Sequence, residues 1–447
     1  MKISGITKKD TRAMLTLAFP AMITQLSATM VQVVDTMFIG RLGPLAIGAA
    51  AVTGIIIFNI TAVGDGFGTG LVAAVSRMIG AGDRKNAAIF STTGISVLTL
   101  IGAAFVPLFL AAGGNIFNLL QIPDELKPRA WEYYSVFISF TPAIFAFGAL
   151  SASFRARGDT GTPMIVGVGI NILNVFLDWT LIFGNLGFPE LGVGGAAFAS
   201  GLSFFSGALL LAVLSLFSEQ GLFRLKRGYL SISHFIRIAR IGMPSMIERF
   251  AMSFSQLLVM SIAVNPLGSN SIASFHIIMR LASLSFMPGF GFAMAAATLS
   301  GQHLGSEDPD GAERMLWVGT LFCGILMVLI STLYFGLSEP LIRLFTDSPE
   351  ILLESDRPLK IYAALAVFLA PAMVLRGGLN GAGDTSFTLR MMIISRFIIR
   401  LPLSWLFGVH LGFGLSGVWF AMCMDFVIRG LSFIGYTKKG EWKEKRI

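Results

Sequence analysis

Asn171, Asn174 and Asp178 lie in the run NILNVFLDWTLIFG, within a stretch that is otherwise almost wholly apolar. Their spacing is i, i+3 and i+7, which on a helix sets three polar side chains in one stripe. No second charge on this run can neutralise Asp178. Another acid, Asp35, lies in VQVVDTMFIG, with Gln25 and Gln32 on the same helical face. Ser200 follows the GVGGAA turn. Two carboxylates, an amide oxygen and a hydroxyl are a donor set for a small hard cation such as Na⁺ at Asp35, Asn174 and Asp178. The same two acids could instead share one proton, because carboxylates in a dry site repel each other. The plainer reading is a staple between helices. A charge inside hydrocarbon is expensive and favours the ion role.

Other ionisable groups fall in apolar runs. Asp65 lies among glycines in VGDGFGTG, where it could pair with an arginine or line a cavity. The second half of the chain carries Glu248, Arg249, Arg280, Arg396, Arg400, Asp425 and Arg429. Asp425 and Arg429 stand at i, i+4 and can pair. Glu248 follows Pro244 by one turn, with Arg249 beside it, and reads as a structural salt bridge ahead of a secondary site. Pro20 and Pro244 each interrupt a long apolar run. A proline removes a helical hydrogen bond, so each is a static kink or a hinge.

The elements that must position these residues are membrane helices. Of 447 residues 54% are hydrophobic and 13% charged, with 50 glycines, where soluble domains carry about 25% charge. Apolar runs fall at about 13–37, 46–76, 88–112, 131–153, 163–184 and 192–217, then at about 237–264, 273–300, 315–338, 359–379, 390–409 and 413–435. Twelve spans put both termini on one side. The loops on that side are rich in cations: Lys2, Lys8, Lys9, Arg12, Arg77, Arg84, Lys85, Arg155, Arg157, Arg224, Lys226, Arg227, Arg237, Arg240, Arg314, Arg376, Arg390, Lys438, Lys439, Lys443, Lys445 and Arg446. The opposite loops hold only Arg41, Lys127, Arg129, Arg343, Arg357 and Lys360. The positive-inside rule then sets both termini in the cytoplasm, with the chain multi-pass in the cell membrane. The net charge of +8 is explained by topology, and no nucleic-acid partner is expected. Cys323 and Cys423 read as buried apolar residues, and no removable signal peptide is expected.

The chain also repeats itself at a shift of about 225 residues. FPAMI at 19–23 faces MPSMI at 243–247, RMIGAGD at 77–83 faces QHLGSED at 302–308, and RARGDT at 155–160 faces NGAGDT at 380–385. GVGGAAFA at 192–199 faces GLSGVWFA at 414–421 after a short slip. Each unit holds six spans, so the halves share one orientation. This is a transporter architecture, with substrate between the halves and alternating access by rocking. The predicted domains are an N-lobe over 1–222, a basic cytoplasmic linker over 223–236 and a C-lobe over 237–447. The polar stripe is not copied: Asp178 aligns with Leu403 and Asn171 with Arg396. There is no Ser/His/Asp set, no Walker loop and no Cys/His metal spacing, so no enzyme and no cofactor are predicted.

Taken with FPAMITQLSATMVQVVDTMFIGRLG, VSRMIGAGDRKNAA, FRARGDTGTPM and GQHLGSED, the chain resembles the multidrug and toxic compound extrusion (MATE) family over nearly its whole length. The resemblance implies an all-α, V-shaped pair of six-helix bundles. It implies antiport of amphipathic, often cationic compounds against H⁺ or Na⁺, by a monomer. Asp35 matches the family's first-helix acid, Asn174 and Asp178 its fifth-helix pair, and Pro20 its bending proline. Ser200 stands where that site's hydroxyl is expected. The chain departs from the NorM-like pattern at Met252, where an acid is expected, and in the acid-free run Ile361–Leu375. That makes it look closer to the DinF-like branch. The alternative within the same superfamily is a flippase for lipid-linked precursors, for which Arg249, Arg280, Arg396 and Arg400 suit a phosphate headgroup.

Overall fold

The computed structural model describes residues 6–218, 220–224 and 227–445. Lys2, Lys226 and Arg446 of the cationic loops lie outside the described residues, as does part of the linker. The described residues contain helices and turns but no strand. Eleven helices are long and apolar enough to cross a membrane, and a bent pair supplies a twelfth. In chain order they are α1 (Lys8–Gly40), α2 (Pro44–Gly80), α3 (Arg84–Leu119), α4 (Lys127–Ser139 and Thr141–Ala156, bent by 49°), α5 (Gly161–Phe183) and α6 (Gly192–Phe217). Then follow α7 (Ile232–Leu267), α8 (Ser269–Gly305), α9 (Pro309–Gly336), α10 (Pro349–Gly381), α11 (Thr385–His410) and α12 (Gly414–Lys439). Each corresponds to one of the twelve apolar runs. Most helices outlast their run because backbone bonding continues past the hydrocarbon into charged turns such as Arg77 to Gly80. In α4 the break precedes Pro142, whose missing N–H ends the ladder there.

The repeated motifs have local structural causes. Asp83 and Asp308, one repeat apart, are the N-caps of α3 and α9. Asp83 accepts from the backbone N–H of Asn86 at 3.0 Å, and Asp308 accepts from that of Gly311 at 2.7 Å. Each carboxylate satisfies an N–H that the helix leaves open. The repeated glycine motif brings backbones together. A side chain on Gly195 of α6 would meet the carbonyl oxygen of Leu181 on α5 at 2.6 Å, and one on Gly417 of α12 would meet Phe407 of α11. Small residues at such crossings let membrane helices pack by close contact.

The described residues form two compact units. One is Ile23–Met246, and the other runs up to Met22 and resumes at Ile247. These divisions differ from the predicted lobe boundaries near 222 and 237. Two helices, α1 and α7, each change unit partway along, two residues after Pro20 and Pro244 respectively. Because the repeat relates these prolines, each unit takes one half of each helix.

The described part of the linker is bound rather than loose. Thr92 Oγ1 on α3 accepts from the N–H of Arg224 at 2.9 Å, and Thr93 Oγ1 accepts from that of Ser231 at 3.1 Å. Cys323 and Cys423 are buried free thiols.

Candidate ion-coupling site in the Ile23–Met246 unit

Helix α5 is polar inside and apolar outside. Asn174 and Asp178 are buried at 4% and 0% exposure, while Ile172, Phe176 and Trp179 on other faces are exposed. That inversion fits a helix whose outer solvent is lipid. Burial at positions 174 and 178 follows from their i, i+4 spacing, which sets both on the face packed against α1 and α6.

On that face the structure gathers Asp35, Asn174, Asp178 and Ser200. Asp178 lies within hydrogen-bonding reach of Asp35. Neither carboxylate oxygen of Asp178 receives a donor among the described residues. The Asn174 amide bridges to Ser200, its nitrogen donating to Ser200 Oγ at 3.3 Å. Turned over, that nitrogen donates to Asp35 Oδ1 at 3.1 Å while the amide oxygen accepts from the Ser200 N–H at 3.2 Å. An amide nitrogen suits a charged Asp35, whereas an amide oxygen suits a protonated Asp35 or a cation beside it. Asp178, which faces a second carboxyl and has no donor of its own, calls for a proton or a cation between the two acids.

The remaining predicted residues are placed differently. Asn171 is not in this set: its nitrogen donates to Ser27 Oγ on α1 at 2.8 Å. It ties α5 to α1 nearly two turns from Asp178. Gln32 is exposed one turn before Asp35, and Asp65 is exposed on α2. Pro20 is in α1, in the half that belongs to the other unit. Glu248, the other secondary candidate, is buried and accepts from Arg376 Nη1 at 2.6 Å. Its partner comes from α10. Asp425 and Arg429 do form the i, i+4 pair, at 3.0 and 2.8 Å.

Two residues that bear on the site escaped the sequence pattern. Tyr133 on α4 lies within electrostatic reach of both Asp35 and Asp178. Its neighbour Glu132 accepts from the N–H of Gly194 at 3.2 Å, at the start of α6. There an acid complements the helix dipole and anchors the helix that carries Ser200. An aromatic followed by no polar periodicity gives no signal, whereas Glu132 at the head of an apolar run was a visible one. Among the described residues no three His, Cys, Asp or Glu side chains gather in metal-binding range. A cation here would draw on amide and hydroxyl oxygens besides the two carboxylates.

Residues 20–180 and residues 244–406 each match the MatE family. The two matches begin at the paired prolines. The probable multidrug resistance protein NorM of Thermotoga maritima is 30% identical over 438 residues, covering 98% of this chain and 94% of its own. Multidrug and toxin extrusion protein 1 of Homo sapiens is 26% identical, covering 98% of this chain and 76% of its own. Among solved structures, a MOP superfamily transporter from Pyrococcus furiosus superposes with a TM-score of 0.90 at 22% identity, covering 98% and 97% of the two chains. A multidrug resistance MATE family transporter in an outward-facing conformation gives 0.90 at 23%, covering 96% and 95%. At such identities the superpositions speak for the fold. With both halves matched and a relative of 30% identity along nearly its whole length, the chain belongs to the MatE family, which comprises membrane transporters and not enzymes.

Proposed function

We propose that the chain is a cation-coupled antiporter that exports amphipathic, often cationic small molecules by alternating access. The observation that carries this reading is the buried carboxyl of Asp178, which faces Asp35 and receives no donor. In one state a proton or Na⁺ sits between the two acids. In the other, Asp35 is released and substrate binding is favoured. The ion does work only through its different affinity for the two states. Asn174 and Ser200 hold the acids in register, and the amide of Asn174 answers the charge of Asp35 by its orientation. Asn171 positions α5 on α1. Pro20 and Pro244 serve as hinges where α1 and α7 change unit. The names of the relatives, as multidrug resistance and extrusion proteins, support the substrate class.

From its loop cations we further place the chain in the cell membrane with cytoplasmic termini, and from the family resemblance we take it to act as a monomer. Coupling in the first repeat alone is the DinF-like pattern, resting on Met252 and the run Ile361–Leu375. The relative from Thermotoga maritima carries the NorM name.

The test uses proteoliposomes loaded with a fluorescent organic cation. A pH gradient and a Na⁺ gradient are imposed separately on wild type, Asp35→Asn and Asp178→Asn. Efflux driven by one gradient and lost in both folded variants is the expected result and names the ion. Normal transport by both variants would remove the site from the mechanism.

A further inference from the structure

One cluster in the unit that resumes at Ile247 buries more positive charge than its own acid neutralises. Arg396 and Arg400 on α11, and Asp425 and Arg429 on α12, are each more than nine-tenths buried. They lie within electrostatic reach of one another. Arg429 occupies both oxygens of Asp425, Nε donating to Oδ1 at 3.0 Å and Nη2 to Oδ2 at 2.8 Å. The nearby Arg376 is already paired with Glu248 at 2.6 Å. Arg396 and Arg400 are left with neutral partners. Arg396 Nε donates to the Met392 thioether at 2.9 Å, a weak acceptor. Arg400 Nη2 donates to Gln256 Oε1 at 2.8 Å, and its Nε has no partner among the described residues. Three arginines therefore share one aspartate, an excess of two positive charges.

Such an excess is costly inside a membrane-spanning bundle. An uncompensated buried ion is heavily penalised, and intramembrane charges pair or serve a ligand. The backbone is also unusual here. Ile394–Arg400, which carries both arginines, is π-helical, a form that concentrates at functional sites. Arg396 keeps 7% exposure, and Gln256 beside Arg400 is half-buried. With its oxygen bound to Arg400, Gln256 has its amide nitrogen as a further donor. Guanidinium forks match the oxygens of phosphate and carboxylate in a bidentate manner.

We propose that Arg396, Arg400 and Gln256 form a binding site for an oxyanion, a phosphate that is either free or carried on a lipid headgroup. The bound anion supplies the negative charge that the chain lacks. Asp35 and Asp178 belong to the other unit, and the proposal does not depend on the coupling reading.

The test is thermal unfolding of the delipidated full chain in detergent, at constant ionic strength. Inorganic phosphate and a short-chain phosphatidic acid are titrated separately, with phosphatidylcholine of the same chain length as control. Wild type should gain stability saturably with one of the two probes. Inorganic phosphate as the active probe assigns a free oxyanion, and phosphatidic acid alone assigns a lipid headgroup. Arg396→Gln and Arg400→Gln should weaken the response at least about ten-fold. Arg396→Lys, which keeps the charge but loses the fork, should fold and bind at least about five-fold more weakly. Asp35→Asn should respond as wild type does. In buffer free of oxyanions, Arg396→Gln should be no less stable than wild type, since one surplus charge is gone. The proposal is overturned if neither probe stabilises wild type, if phosphatidylcholine acts as well, or if Arg396→Lys and Arg400→Gln keep the full response.

Discussion

Replacing Asp178 with asparagine keeps the shape of the side chain on α5 and removes the buried carboxyl that faces half-buried Asp35. The consequence for stability can be worked from the site. Two unit charges about 4 Å apart at an effective dielectric of about 20 repel by about 4 kcal/mol. An asparagine nitrogen can donate to Asp35, adding about 1 kcal/mol. The full sum is not expected, because wild type escapes the repulsion by taking up a proton or a cation. We expect Asp178→Asn to be more stable than wild type by about 1–3 kcal/mol at about pH 8 without Na⁺. The gap should close as the pH falls or as the coupling ion is added, because wild type then fills its site. The assay is thermal unfolding of both proteins in detergent across pH, with and without Na⁺, beside efflux from proteoliposomes. The variant should be stable and uncoupled. A variant less stable than wild type at high pH without Na⁺ would refute the facing-carboxyl reasoning, since Asp178 would then be held by donors rather than repelled.

Three other perturbations probe the frame around the site. The backbone N–H of Gly311 holds the Asp308 carboxyl below its ordinary value, so the α9 cap is intact above about pH 4 and is lost as pH falls through that lowered value. Asp308→Ala should accordingly cost about 1 kcal/mol near neutral pH and progressively less in acid, read by chemical unfolding. Glu248→Gln should destabilise by about 3–5 kcal/mol because it strands Arg376, and the double variant with Arg376→Met should recover most of that loss. A double variant no more stable than Glu248→Gln would count against the pair as a closed unit. Pro20→Ala should raise thermal stability, by up to about 3 kcal/mol, while slowing transport. Unchanged transport would remove Pro20 from the hinge.

Much of this protein could be read along one dimension. Hydrophobic run length fixed the twelve helices, because a span needs enough apolar residues and little else. The repeat was legible because each motif acts locally, with Asp83 and Asp308 capping helices and Gly195 and Gly417 admitting a neighbouring backbone. The i, i+3, i+7 stripe marked α5, and the buried pair Asn174 and Asp178 follows from helical geometry alone. Asn171 shared that stripe yet bonds Ser27, because seven residues along a helix carry a side chain about 10 Å along the axis, past the reach of the acids.

What the tertiary structure decided is which distant residues meet. Periodicity shows the face a residue is on but not the helix that covers it. Tyr133 within electrostatic reach of Asp35 and Asp178, Arg376 on Glu248, and Gln256 on Arg400 all arise from the packing of helices far apart in the chain. The division of the units also lay outside the linear pattern. Chain order suggests a cut in the linker, whereas the compact units part inside α1 and α7, just beyond Pro20 and Pro244. The surplus of charge around Arg396 and Arg400 is likewise a property of three dimensions. Along the chain these are basic residues in an apolar run, and only packing shows that Asp425 is already taken by Arg429.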